Sequence, residues 1–304
     1  MHVQPYSTIL RRCQLCLYSC LKRLQSETSR NQNMRLYRQL NRAFLSNRRT
    51  YGQRPVVSST MDADEIKHFR SLANTWWDET GEFEALHAMN KIRIPFIRDG
   101  LVQQLEMSPR NPAEPLQGLS VVDVGSGGGL LTEPIARLGA FVVGIEPVEE
   151  STKIAQLHLE EDPRLLPRVK YITGSVEDLV STEAETFDAV VASEVVEHVN
   201  DLEAFMASCC SLVKPGGSLF VTTMNKTLLS RTLAVFGAEK VFRIVPEGTH
   251  DWQKFVPPSD LQSILEKNHF HTRLLHGMLY MPVLREWRWV PDTSINYALH
   301  AVKD

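Results

Sequence analysis

No stretch of the 304-residue chain approaches the eighteen or so uninterrupted apolar residues that a membrane-spanning helix needs. A soluble protein is predicted, with segments lying on a membrane surface left open. Cysteine is scarce: Cys13, Cys16, Cys20, Cys209 and Cys210 are all there is, which excludes a disulfide framework and suits a reducing compartment. The first three have knuckle-like spacing, but no second ligand group follows at zinc-finger distance, so no zinc site is predicted. Cys209 and Cys210 are adjacent in a helical pattern and project differently, as buried small residues rather than a redox pair. Hydrophobic residues at 43% and charged residues at 23% exclude disordered and collagen-like chains.

Acids are nearly absent from residues 1–60, where ten Arg and one Lys stand against Glu27 alone. The net charge of −3 therefore leaves the remainder with 22 basic and 35 acidic side chains, a balance that argues against nucleic acid as a partner of the body. Leu10, Leu17, Leu21 and Leu24 can share one helical stripe in this Arg-rich, Ser/Thr-bearing segment, the composition of a mitochondrial transit peptide. A basic arm that stays attached and touches RNA or anionic lipid is the alternative. Residues 1–60 are thus expected to be leader and linker, and residues 61–304 the working domain.

The body alternates strand and helix patterns. VVDV from Ser120, FVVGIEP ending at Glu146, VKYITG, FDAVVAS and SLFVTTM read as strands, separated by LLTEPIARLGA, STKIAQLHLEE and DLEAFMASCCSLV as helices. HTRLLHGMLYM and INYALHAV supply closing strands. The expected fold class is α/β, a Rossmann-like, doubly wound and mostly parallel seven-stranded sheet.

Two familiar phosphate signatures are missing. GSGGGL has the spacing G-x-G-x-G, and Leu130 stands where a dinucleotide fingerprint wants its third glycine, which disfavours NAD. No glycine loop leads into Lys followed by Ser or Thr, so nucleotide hydrolysis has no support. What remains is a turn that lets a ligand approach the backbone, with Asp123 before it and Glu146 at the next strand tip. A carboxylate there suits a ribose diol, while Asp123 and the loop acids Glu177 and Asp178 suit an amine-bearing or cationic ligand. S-adenosylmethionine has a ribose, an amino group and a sulfonium, and no phosphate. A solvated strand-end carboxylate is the alternative for Glu146, and Glu177 and Asp178 read equally well as acids without a ligand role.

VVDVGSGGGLLTEPIARLGAFVVGIEP resembles the cofactor half of class I S-adenosylmethionine-dependent methyltransferases. The strings WWDETGEFEALHAMNKIRIPFI, ASEVVEHV, LVKPGGSLFVTTMNKT and VPEGTHDWQKFVPPSDL are similar to those of the ubiquinone-biosynthesis O-methyltransferase family, from about Ile66 to the end. One departure is Ser126, where bacterial members usually carry Cys. The resemblance implies an enzyme that methylates ring hydroxyls of polyprenylated dihydroxybenzoate and demethylubiquinol intermediates. It implies a place on the matrix side of the mitochondrial inner membrane, held peripherally, within a multi-subunit coenzyme Q biosynthetic complex. By motif it implies Arg93 on the cofactor carboxylate, Gly125 in the cofactor loop, Glu146 on the ribose and Ser193 beside the cofactor. It also implies an N-terminal helical lid over residues 66–100, with Trp76 and Trp77 as lining residues.

Such chemistry needs a phenolate. A helix beginning near Glu194 would put Glu194, Glu197 and His198 on one face at i, i+3 and i+4, where two carboxylates and an imidazole can hold Mg²⁺. His198 as general base without a metal is the alternative. His250 and Asp251 face the site or form a turn. Residues 226–246 intersperse Leu228, Phe236, Val241 and Phe242 with Lys226, Arg231, Lys240 and Arg243, an insertion able to dip into a membrane interface and receive a polyprenyl chain, or to pack on the body. A scaffold subunit that keeps the fold without turnover, and a methyltransferase of another small phenol, stay as competing readings.

Overall fold

The computed structural model describes residues 72–109, 111–226 and 255–304, with Thr60, Asp62, Ile66 and Arg70. The chain divides into Met1–Pro55, which lies outside the described residues, and Val56–Asp304. The expected leader and linker apart from Thr60, the insertion apart from Lys226, and His250 and Asp251 also lie outside them.

Eight strands make one sheet: β1 Ser120–Val124, β2 Phe141–Glu146, β3 Val169–Thr173, β4 Phe187–Ser193, β5 Val213–Met224, β6 Phe270–Met281, β7 Glu286–Val290 and β8 Asn296–Lys303. Their order is β3-β2-β1-β4-β5-β8-β6-β7. The first five are parallel, and β8 enters antiparallel between β5 and β6. The seven strands expected from the sequence become eight because EWRWV pairs antiparallel with the end of β6, from Gly277 opposite Val290 to Met281 opposite Glu286. It is an edge strand of mixed polarity, so no apolar run announced it.

The helices are α1 Glu84–Gln104, α2 Thr132–Arg137, α3 Glu149–Glu160, α4 Val176–Glu183, α5 Leu202–Leu212 and α6 Pro258–Lys267. Parallel strands flanked by helices are buried on both faces, which is why β1 and all of β2 but Phe141 are out of solvent and read as continuous apolar runs. The main core joins Ile97 and Leu101 of α1 to Val121, Val142, Ile135, Leu159 and Val191. Lys214-Pro215-Gly216-Gly217 follows the end of α5, as expected, and is continuous with β5. Cys209 and Cys210 are buried in α5, where burial pushes both thiols up, as inert packing residues.

The switch of strand order falls between β1 and β4, and in open α/β sheets the C-terminal ends of the strands at such a point are where ligands bind. The glycine turn, the tip of β2 and the segment after β4 all belong to that end of the sheet.

Candidate cofactor and active site

The glycine turn is tied to the second strand, since the N–H groups of Gly125 and Ser126 both donate to the Ile145 carbonyl, at 2.8 and 3.2 Å. Gly125 has a left-handed φ of 70°, and a Cβ there would lie 2.5 Å from Val195 Cγ2, so the turn needs glycine on both counts. A Cβ on Gly128 would meet Trp76 Cγ at 2.4 Å. The bare backbone of this turn is covered by an indole.

The lid expected over residues 66–100 takes the form of a short 3₁₀ turn, Ala73–Thr75, the two tryptophans and α1. Trp76 stacks on Phe83 and donates from Nε1 to Ser151 Oγ at 3.0 Å. Trp77 donates to the Gly128 carbonyl at 2.9 Å and stacks on His158. Buried positions of α1 include Met89, Arg93, Phe96, Ile97 and Leu101, so Arg93 belongs to an apolar stripe. Sequence reasoning without the resemblance takes Arg93 for a surface cation; its place in that stripe was the available signal.

Arg93 is 3% exposed. Its Nε donates to Asn90 Oδ1 at 2.7 Å and its Nη1 to Ser193 Oγ at 2.9 Å, and Ser193 Oγ pairs with Thr222 Oγ1 at 2.7 Å. Burial pulls the guanidinium's pKa down, and the charges of Asp123 and Glu194 oppose that. Arg93 and Ser193, predicted separately, are brought together.

Glu146 is buried at the tip of β2. Gly127 N–H donates to its Oε2 and Val148 N–H to its Oε1, each at 2.9 Å. Burial pushes its carboxyl up to about 7, against these two hydrogen bonds and with help from the charge of Asp123. Asp123 accepts from Thr132 Oγ1 at 2.6 Å and is raised to about 6, again by burial first. The other two acids have structural work: Asp178 closes a capping box with Ser175 at the start of α4, and Glu177 accepts from Thr60 Oγ1 at 2.7 Å.

The expectation of a helix from Glu194 is corrected. Glu194 has a left-handed φ of 57°, and its N–H donates to the Thr222 carbonyl at 2.8 Å. Pairing with β5 therefore extends past Ser193 and delays the turn, which is 3₁₀ and spans only Val196–His198. Glu194, Glu197 and His198 do not share an α-helical face. Among the described residues, no group of three or more His, Cys, Asp and Glu side chains is arranged to hold a metal ion, so the magnesium site is not supported.

The three side chains nevertheless sense one another. Glu197 is buried and accepts from Thr223 Oγ1 at 2.8 Å; burial and then the Glu194 charge raise it to about 7, while His198 opposes them. Burial raises Glu194 also, opposed by a Thr222 hydrogen bond and by the charges of Arg93 and His198. Asn90, Thr132 and Thr222 are the polar partners that sequence reasoning missed, because nothing in local spacing marks a side chain whose role is to hold another.

The donor set suits a ligand with a diol, an amino group and a carboxylate: a buried acid at the β2 tip, a buried acid within β1 just before the glycine turn, and a guanidinium held by Asn90 and Ser193. The family model described as "Methyltransferase domain" matches residues 122–221. A methyltransferase from Thermotoga maritima that depends on S-adenosylmethionine has the same fold, at a TM-score of 0.51 and 18% identity over 79% of this chain and 100% of that one. The human mitochondrial ubiquinone biosynthesis O-methyltransferase is 48% identical over 98% of this chain and 75% of its own length. The rat protein of that name is 53% identical over 81% and 71%. The chain is an S-adenosylmethionine-dependent methyltransferase and belongs to the ubiquinone biosynthesis O-methyltransferase family.

Proposed function

We propose that the chain methylates ring hydroxyls of polyprenylated dihydroxybenzoate and demethylubiquinol intermediates, with Arg93, Gly125, Glu146 and Ser193 holding the methyl donor and His198 as general base. The observation that carries this reading is the hydrogen-bonded link from Arg93 through Ser193 to Thr222, which joins the donor-binding side to the segment bearing Glu194, Glu197 and His198. When bound, S-adenosylmethionine supplies an electrophilic methyl on a good leaving group.

The difficulty is the nucleophile. A phenol with a pKa near 10 is ionised in about one molecule in a thousand at pH 7, and recovering that population is worth about 4 kcal/mol. His198 takes the proton of the ring hydroxyl, and the carboxylates of Glu194 and Glu197 favour the imidazolium that results. Trp76 and Trp77 close over the glycine turn and keep water from it.

A magnesium ion held by Glu194, Glu197 and His198 is the second reading. The buried Glu194 Oε1, which has no hydrogen-bond partner among the described residues, favours it. The deciding assay follows methyl transfer to a short-chain dihydroxybenzoate and a quinol analogue, with chelator and with added Mg²⁺. Turnover unaffected by chelator supports the histidine alone; turnover restored only by Mg²⁺ replaces it with the ion; donor binding without turnover supports the scaffold reading.

The location proposed is the mitochondrion, on the matrix face of the inner membrane and within a biosynthetic complex; the names of the mammalian relatives and the basic composition of residues 1–60 support it. The apolar residues of 226–246 are the proposed membrane contact. Phe236→Asp with Phe242→Asp is expected to lower liposome binding and spare donor affinity, and unchanged liposome binding refutes the contact.

A further inference from the structure

We infer that Asn90 is a positioning residue that sets the guanidinium of Arg93 against the glycine turn, and thereby selects donors by their amino-acid carboxylate. The inference rests on the reading of Arg93 as the carboxylate partner.

Asn90 lies on α1, one helical turn before Arg93, and its amide is used at both ends. Nδ2 donates to the Leu130 carbonyl, just past the glycine cluster, at 2.8 Å, and Oδ1 accepts from Arg93 Nε at 2.7 Å. Only one orientation of the amide satisfies both contacts, because a carbonyl can only accept and a guanidinium can only donate. A single rigid group thus measures the spacing between the turn, around which a donor's amino-acid portion must lie, and the cation that would meet its carboxylate. The Ser193 hydroxyl fixes a second nitrogen of the same fork. With Nε and Nη1 both held, the plane of the guanidinium is defined, and a planar fork recognises a carboxylate only when its own plane is set.

Without Asn90, Arg93 keeps its charge, its burial and its Ser193 contact. Binding of the nucleoside portion, which falls to Glu146 at the tip of β2 and not to Asn90, is unaffected. The loss is therefore confined to the energy that distinguishes a ligand with the carboxylate from one without it. An unspecific packing role for Asn90 would instead weaken every ligand alike.

The test is a cycle of two proteins and two ligands by calorimetry: wild type and Asn90→Ala, with S-adenosylhomocysteine and its decarboxylated analogue. Alanine preserves helix propensity at this position. The expected result is a wild-type preference of about 30-fold for the carboxylate-bearing ligand, on the scale of a charge-assisted bond, falling to about threefold or less in Asn90→Ala. The analogue's own affinity should change less than about twofold, the noise expected when no contact is lost. Asn90→Gln, which carries the same amide on a longer arm and displaces the fork, should also reduce the preference and serves if the alanine variant does not fold. A preference unchanged in both variants, or an equal weakening of the two ligands, overturns the inference. Equal binding of the two ligands by the wild type fails the Arg93 reading itself. A wild-type preference that collapses in Arg93→Lys but survives in Asn90→Ala fails the assignment of Asn90 alone.

Discussion

Glu146→Gln isolates the carboxyl proposed to hold the ribose. In the wild type its two oxygens already accept from Gly127 and Val148, which leaves one lone pair on each for two ribose hydroxyls. The ionised form is therefore the one that binds. With the carboxyl near 7, about one-tenth is ionised at pH 6 and about nine-tenths at pH 8, so affinity for S-adenosylhomocysteine should be about tenfold weaker at pH 6. Stability of the free protein should run the other way. A carboxyl raised in the fold stabilises it when protonated; that contribution is full below about 4.5 and is lost as pH rises through about 7, a difference of about 3 kcal/mol. The glutamine variant cannot ionise and also turns an NH₂ toward one of the two N–H donors, at a cost of about 1–3 kcal/mol. Calorimetric titration and thermal unfolding of both proteins between pH 6 and 8 provide the comparison. A wild-type affinity that is flat with pH, or an equal slope in Glu146→Gln, refutes the reasoning.

Gly128→Ala places a Cβ 2.4 Å from Trp76 Cγ, so the indole must leave the turn and give up its Ser151 hydrogen bond and its stack on Phe83. A loss of about 1–3 kcal/mol is expected, seen as a lower Tm with a weakened near-ultraviolet tryptophan signal. His198→Ala is expected to lower kcat by about 10²–10⁴ with affinity for S-adenosylhomocysteine unchanged, measured by methyl transfer beside calorimetry; a smaller loss of kcat places the base elsewhere.

The amino-acid order alone determined the alternation of strands and helices, the glycine turn after β1 and the acid at the tip of β2. Each is local: an apolar run of five, a backbone without Cβ, a charge at the end of a buried strand. The same locality explains the misreadings. Glu194 looked like the first residue of an α-helix because i, i+3, i+4 spacing is all that a string can offer, whereas the Thr222 carbonyl that captures its N–H comes from a strand 28 residues away in sequence. EWRWV has no apolar run to announce a strand and becomes one because the end of β6 is there to pair with it. Arg93 reads as surface until α1 lies on the sheet and turns its Met89, Arg93 and Ile97 face inward. Tertiary structure decided everything that depends on two distant groups meeting: the indole over the glycines, the amide between Leu130 and Arg93, and the carboxyls lifted toward neutrality by burial. Hydrogen bonding and desolvation act over a few ångströms of space, and the fold alone sets which residues lie within that reach.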